Sequence, residues 1–396
     1  MSKLRVLTLT WNMSGEDTSR STAEWKRSTV GNEWMNWIRR RDYYRGGSSQ
    51  ALDRSVLDYD VIVICLQEVH RKSEFAEFFL DSLNNARNVG KTPSAIKSDR
   101  YVMATAKNKS LARLAGSSFD QHLYLFYLSS AGFSVAKRGS TCFGAGGTCV
   151  KGSVAMHLHR SNEHYIFISS HFPMVSTGKE GDIARTAAYQ QTEDKLILKM
   201  RTLSSETALS TDAVTVVWAG DFNYRTERIA PGMDDTILDN EKQGDRHRDR
   251  LAQLRTTGAP APWPYNLGWR ECSETGKQRG DFKPNYQPTC RFAQLKKTAS
   301  QQSILASGRL RHEGWASAYT ITKSGKTRFP SWCDRVFFKP RQGVIIQCKS
   351  NKFSTGSVES DHDAVFADLE LNGVQAGAPI KQGLIQEWHD FMDELE

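Results

Sequence analysis

Trp218-Ala-Gly-Asp-Phe-Asn-Tyr-Arg225 is preceded by Val214-Thr-Val-Val217, an apolar, β-branched run that predicts a buried strand. The strand then presents Asp221, Asn223 and Arg225 at its C-terminal end. A carboxylate, an amide and a cation within five residues exceed what a strand end needs for folding.

The pattern recurs outward from this stretch. Phe329-Pro-Ser-Trp-Cys-Asp-Arg-Val-Phe-Phe338 sets Asp334 and Arg335 on an apolar strand, where a polar pair is costly unless partnered. Asp361 and His362 lead into a strand with Val365, Ala367, Leu369 and Leu371 at alternate positions. Leu4 to Trp11 alternates and ends at Asn12, Val61-Ile-Val-Ile-Cys-Leu66 ends at Gln67-Glu68, and Tyr165-Ile-Phe-Ile168 leads to Ser170-His171. Asn12, Glu68, His171 and Asp221 follow their strands, whereas Asp334 and His362 stand at or near the start of theirs. All can share one rim only if some neighbouring strands run antiparallel. The expectation is a layered sheet protein with one polar rim as its active site.

The chain has 396 residues and a formal charge of +9, with a pI near 9.1. A basic balance points to an anionic partner: a phosphate compound, nucleic acid or an acidic membrane surface. The seven cysteines include no CxxC pair, and Cys65 and Cys333 lie inside apolar strands, so they read as buried thiols of a protein in a reducing, cytoplasmic setting. No apolar run approaches the roughly 18 residues of a membrane span, so any work at a membrane is expected to be peripheral.

Residues 14–50 are polar, and Trp34, Trp37 and Ile38 predict one amphipathic helix before Gly46-Gly47. Helices are also predicted over Ser73 to Leu83 and Ile183 to Leu203, with a short one at Asp249 to Leu254. Residues 226–290, with six prolines, read as a substrate-facing wall. The spacing of Ile380, Leu384, Ile385, Trp388, Phe391, Met392 and Leu395 predicts a terminal amphipathic helix. His157 and His159 face one side of a strand, but no third zinc ligand is evident in the sequence.

Taken together, the motifs resemble those of the inositol polyphosphate 5-phosphatases, within the DNase-like endonuclease/exonuclease/phosphatase superfamily. WAGDFNYR is similar to the family's W-x-G-D-x-N-x-R signature, and FPSWCDRV to its P-x-W-C-D-R signature. Thr10-Trp-Asn-Met13, Leu66-Gln-Glu-Val69, Lys151-Gly-Ser-Val154, Ser170-His171 and Ser360-Asp-His362 fall in family order, so the resemblance covers residues 3–372. It implies a four-layer α/β sandwich, two mixed β-sheets flanked by helices. The implied catalytic unit spans residues 1–373, and a linker with the amphipathic helix spans 374–396.

The implied chemistry is Mg²⁺-dependent hydrolysis of a 5-phosphate monoester by in-line attack of water. Phosphoryl transfer of this kind needs charge neutralisation and a positioned nucleophile. Glu68 and Asn12 are then the expected Mg²⁺ ligands, since a hard cation takes oxygen donors and keeps several waters. Asp221 would accept a proton from the attacking water or orient it, and Asn223 would hold that water or a phosphoryl oxygen. His362, paired with Asp334, would donate to the scissile phosphate, and His171 would contact phosphate or a metal-bound water. Lys151, Arg225, Arg291, Lys326, Arg328 and Arg335 are the expected substrate cations.

Pro288-Thr-Cys-Arg-Phe292 departs from the family's P-T-Y-K-Y pattern at Cys290 and Arg291, which puts the grip on a 4-phosphate in question. Phe172-Pro-Met-Val175 follows His171 as a loop that reads equally as packed or as lipid-facing. The expected partners are phosphoinositide lipids or soluble inositol polyphosphates at a membrane surface. A nuclease of the same superfamily shares the Asn, Glu, Asp and His set, but the paired signatures argue against nucleic acid. A silent phosphoinositide-binding scaffold is the other rival, opposed by the presence of Glu68, Asp221 and His362.

Overall fold

The computed structural model describes residues 3–13, 20–39, 55–70, 73–89, 91–92, 99–108, 119–143, 151–174, 179–204, 207–224, 269–272, 289–290, 331–353, 360 and 362–373. The predicted helices at 249–254 and 378–396, most of the 226–290 wall, and Arg225, Arg291, Lys326 and Arg328 lie outside them.

In chain order the elements are β1 (Leu4–Asn12), α1 (Thr22–Arg27), α2 (Thr29–Arg39), β2 (Val61–His70), α3 (Phe75–Arg87), β3 (Tyr101–Asn108), β4 (Phe119–Leu128), β5 (Ser134–Cys142), β6 (Gly152–Arg160), β7 (Glu163–His171), α4 (Lys179–Gln191), α5 (Leu198–Arg201), β8 (Thr202–Ser204), β9 (Thr207–Ala208), β10 (Val214–Asp221), β11 (Arg270–Glu271), β12 (Asp334–Lys339), β13 (Val344–Phe353) and β14 (Ala364–Gly373). A π-helical turn, Thr192–Ile197, joins α4 to α5. Two helices, rather than the single one expected, occupy residues 22–39: Ser21 caps α1 with a reciprocal Glu24 bond, and the extended backbone of Ser28 separates the two.

Two six-stranded mixed sheets form the centre, ordered β13-β14-β1-β2-β4-β3 and β11-β12-β10-β7-β6-β5. β1 is parallel to β2 and antiparallel to β14, while β10 is parallel to β7 and antiparallel to β12. That mixture brings the ends of β1, β2, β7 and β10 and the starts of β12 and β14 to one edge, as the polar rim required.

Alternation then decides which side chains meet. Val6, Val63, Cys65, Phe167, Val217, Ala219, Val336 and Val365 point between the sheets, where one apolar core joins them. The alternate residues of the first sheet, such as Leu7, Leu9, Ile62 and Ile64, pack under α1, α2 and α3 with Trp25, Trp34, Phe75, Phe78, Phe79 and Leu83. On the other side Ile166, Ile168, Val216, Trp218 and Phe337 pack with Ala188, Tyr189, Leu196 and Met200 of the α4–α5 helical run. The result is four layers, α/β/β/α, each sheet buried on both faces.

Cys65, Cys290 and Cys333 are buried thiols. Cys272, just after β11, and Cys348, in β13, form a disulfide with Cα atoms 5.5 Å apart, a bond that the reading of a reducing setting did not anticipate. It ties an edge strand of one sheet to an edge strand of the other, across 76 residues of sequence. Linear spacing gave no sign of it.

Candidate active site

The site grows from the parity of four strands. In β10, Asp221 shares the face of Val217 and Ala219; in β1, Asn12 shares the face of Val6; in β7, His171 shares the face of Tyr165 and Phe167; in β12, Asp334 shares the face of Val336 and Phe338. All four therefore point between the sheets, just past the end of the apolar core.

Asp221 is the hub. Its Oδ2 accepts from Asn12 Nδ2 at 3.0 Å and lies 3.3 Å from His171 Nε2. Its Oδ1 accepts the Asn223 backbone N–H at 2.9 Å. Asn223 sits in the left-handed region (φ 53°) and donates its side-chain amide to the Phe172 carbonyl at 2.9 Å. Burial would raise the Asp221 pKa, but His171, His362 and Lys151 outweigh it and hold this carboxyl ionised, well below the usual range. The His171 pKa is lowered as well, because burial and the Lys151 ammonium disfavour its imidazolium and keep the ring neutral.

Gly220 lets the hub form. A Cβ at this position would stand 2.1 Å from the Ser170 carbonyl oxygen, so only glycine lets β10 lie this close to β7.

Glu68 reaches the rim by a different route. Between Leu66 and Val69, β2 carries a bulge against β4 in which Gln67 and Glu68 together oppose Gln121. Glu68 takes the left-handed conformation (φ 54°) that frees it from the strict alternation. Gln67 points between the sheets, bonded to Thr10 and Ser169. The Glu68 carboxylate is 31% exposed, while those of Asp221 and Asp334 are almost sealed. The Lys151 ammonium lies 3.6 Å from Glu68 Oε1 and contacts His171; His171 Nε2 is 3.7 Å from the same Glu68 oxygen.

The opposite wall is the His362–Asp334 pair. His362 Nδ1 is 2.7 Å from Asp334 Oδ2, and the Thr289 hydroxyl donates to the same oxygen at 2.7 Å. Burial disfavours the imidazolium, but Cys290 and Asp334 beside it outweigh that and raise the His362 pKa well above the usual imidazole range. Burial also lifts Asp334 to about 6, against the pull of His362. The two therefore share a proton, held mainly on the ring. The backbone around His362 is pinned as well: Trp11 Nε1 donates to the His362 carbonyl at 3.2 Å, the His362 N–H donates to Ser360 Oγ at 3.0 Å, and the Ser360 hydroxyl donates to the Asn12 carbonyl at 2.6 Å.

Thus Asn12, Glu68, Lys151, His171, Asp221, Asn223, Asp334 and His362 converge. Arg335 does not. It shares the face of Phe337, away from the intersheet side, and its fully buried guanidinium pairs with Glu271 through two 3.1 Å bonds while donating to the Trp332 carbonyl. The expectation of Arg335 as a substrate cation is corrected: strand alternation sends it to the face opposite Asp334. Sequence reading missed Thr289, Trp11 and Ser360 as supports, although all three lie within or beside the motifs quoted above. Their bonds join segments far apart in the chain, which spacing cannot show.

The donor set suits a hard divalent ion. Glu68 offers a partly exposed carboxylate, from which the Lys151 ammonium would have to turn away to admit the ion, and Asn12 adds an amide oxygen. Among the described residues no three His, Cys, Asp or Glu side chains form a ready-made metal cage; a magnesium site that retains its waters does not need one.

The Endonuclease/Exonuclease/phosphatase family 2 matches residues 9–260. Phosphatidylinositol 3,4,5-trisphosphate 5-phosphatase 1 of Rattus norvegicus and of Homo sapiens are each 26% identical over 235 residues, 59% of this chain and 17% of those proteins. This chain therefore aligns with a minor part of the curated relatives. The solved inositol polyphosphate 5-phosphatase domain of SPsynaptojanin, in complex with inositol (1,4)-bisphosphate and calcium ion, superposes with a TM-score of 0.54 at 16% identity, covering 100% of this chain and 94% of that one. At that identity the likeness is one of fold.

Proposed function

Because this chain belongs to the Endonuclease/Exonuclease/phosphatase family 2, we propose that it is a Mg²⁺-dependent phosphatase removing the 5-phosphate from phosphoinositides, with phosphatidylinositol 4,5-bisphosphate and 3,4,5-trisphosphate as the lipid substrates and soluble inositol polyphosphates as further ones. The observation that carries this reading is the facing arrangement of an ionised, buried Asp221 and a protonated His362–Asp334 pair, with the partly exposed Glu68 carboxylate at the same rim. That is one group to take a proton from water, one to give a proton to a phosphoryl oxygen, and one to hold a cation. The match to curated 5-phosphatases supports the substrate class.

Glu68 and Asn12 would hold the Mg²⁺, which neutralises phosphoryl charge when bound. Asp221, kept ionised by His171 and Lys151, accepts the proton of the attacking water, and Asn223 orients that water. His362 donates from Nε2 because Asp334 occupies Nδ1. His171, neutral and beside Asp221, contacts the phosphate, and Lys151 supplies a cation to it. Arg225, Arg291, Lys326 and Arg328 complete the recognition of ring phosphates. Residues 1–373 act as the catalytic unit, and 374–396 as a linker and helix. The protein works from a peripheral membrane position. Among the described residues no helix is long and apolar enough to cross a membrane.

The test is phosphate release, with Mg²⁺ and with EDTA, from both lipids, inositol 1,4,5-trisphosphate and an abasic DNA duplex. Metal-dependent loss of the 5-phosphate carries the reading. Cleavage of DNA with silent inositides would replace it with a nuclease.

A further inference from the structure

Asn223 holds an unfavourable backbone conformation at the point where the nucleophile side of the site is built. Its φ of 53° is in the left-handed region, which costs a non-glycine residue energy unless its surroundings fix it. The N–H is fixed by Asp221 Oδ1 and the side-chain amide by the Phe172 carbonyl. The carbonyl is fixed from another layer, by Arg185 of α4. Arg185 NH1 donates to the Asn223 oxygen at 3.1 Å, and NH2 donates to Asp182 Oδ1 at 2.9 Å. The guanidinium carbon lies 5.0 Å from the centre of the Tyr224 ring, within cation–π range. The residue is 1% exposed.

A buried guanidinium is costly, and Asp182, one turn back on the same helix, supplies its counter-charge. That ion pair alone would satisfy a helix. It does not require the second arm to leave α4 and reach the turn after Asp221. We propose that Arg185 is a positioning residue: it clamps the Asn223 carbonyl and Tyr224 ring and so holds the Asp221–Asn223 turn in its reactive form. The catalytic part of this inference rests on the proposed phosphatase reading; the clamp itself does not.

The two fail separately. Arg185→Ala removes the clamp, and Arg185→Lys keeps the charge while losing the fork that serves both oxygens. Kinetics on phosphatidylinositol 4,5-bisphosphate vesicles are read beside melting temperature and hydrogen exchange of peptides over 214–224. With the clamp, kcat falls about tenfold or more in both variants, while KM stays within about twofold. Exchange rises over 222–224 and stays low over 214–219, and added guanidinium restores part of the Arg185→Ala rate. An Arg185→Lys enzyme with kcat near wild type, or exchange rising equally along all of β10, would overturn the proposal and leave Arg185 as an ordinary helix ion pair. Should wild type release no phosphate, the phosphatase reading fails, and exchange alone decides the clamp: it stands if loosening is confined to 222–224, and falls otherwise.

Discussion

Asn12 Nδ2 donates to Asp221 Oδ2 at 3.0 Å, across 209 residues of sequence and between the two sheets. Each residue ends a central strand and faces the intersheet core, so the bond closes that core where it turns polar. Asn12→Asp keeps the shape but replaces a donor with a second carboxylate. The two charges repel, and the Asp221 pKa rises. Turnover is expected to fall on the order of 10²-fold with circular dichroism unchanged; a variant within twofold of wild type would show that this bond does not serve catalysis.

Thr289 and His362 share one oxygen of Asp334. Thr289→Val removes one donor from that carboxylate and should cost about 1 kcal/mol of stability, with a modest loss of kcat. Asp334→Asn is expected to be far worse, on the order of 10²- to 10⁴-fold, because the ring loses the group that fixes its tautomer. Parallel kinetics and thermal melts of the two variants check the order; equal effects would mean that Asp334 acts only in packing.

Gly220→Ala places a methyl 2.1 Å from the Ser170 carbonyl oxygen. The parallel β7–β10 pair must part, at about 3 kcal/mol. Urea unfolding measures the loss. A change below about 0.5 kcal/mol would show that β10 can shift freely here.

His157 is buried in β6, with its Nδ1 2.8 Å from the Met200 carbonyl and its Nε2 3.0 Å from His164. His159, His164 and Lys137 surround it, with no carboxylate among the groups that shift it, and burial first and these charges next hold its pKa down to about 4, from 6.5. The unfolded chain therefore binds the proton first as pH falls. Stability from this group is complete above about pH 6.5 and is lost progressively toward pH 4. His157→Gln should flatten the fall in melting temperature between pH 7 and pH 5. An unchanged slope would assign acid sensitivity to other groups. His164 joins this cluster only through the β6–β7 pairing, which sets it opposite His159.

The Cys272–Cys348 bond spans 76 residues. Closing a loop of that size in the unfolded chain contributes about 4 kcal/mol. Cys142 is disulfide-bonded too, so dithiothreitol should lower the melting temperature of wild type by more than it lowers that of Cys348→Ser. Equal behaviour of the two proteins would show that the bond does not stabilise the fold.

Much of this protein is written in strand parity. Val214 to Asp221, Leu4 to Asn12 and Tyr165 to His171 each carry an apolar run with a polar residue at its end, and a period of two fixes which neighbours share its face. That local geometry is enough to place a polar rim on a layered α/β fold. The same rule, carried one residue further, separates Asp334 from Arg335; the motif drew both toward the substrate, but adjacent strand residues face opposite ways.

Other features depend on the pairing of distant segments. Nothing in Leu66-Gln-Glu-Val69 states that β4 will supply one residue against two, yet that bulge alone delivers Glu68. The Thr289 bond to Asp334, the Arg185 bond to Asn223 and the Cys272–Cys348 bridge join segments separated by 45, 38 and 76 residues. The sequence by itself determined the alternation and the chemical groups at the strand ends, because these follow from backbone geometry within a few residues, while the four layers were implied only by the family resemblance. Tertiary structure alone decided their partners, their charge states and the burial of Arg185 and Arg335, because those depend on which surfaces two sheets and their helices seal from water.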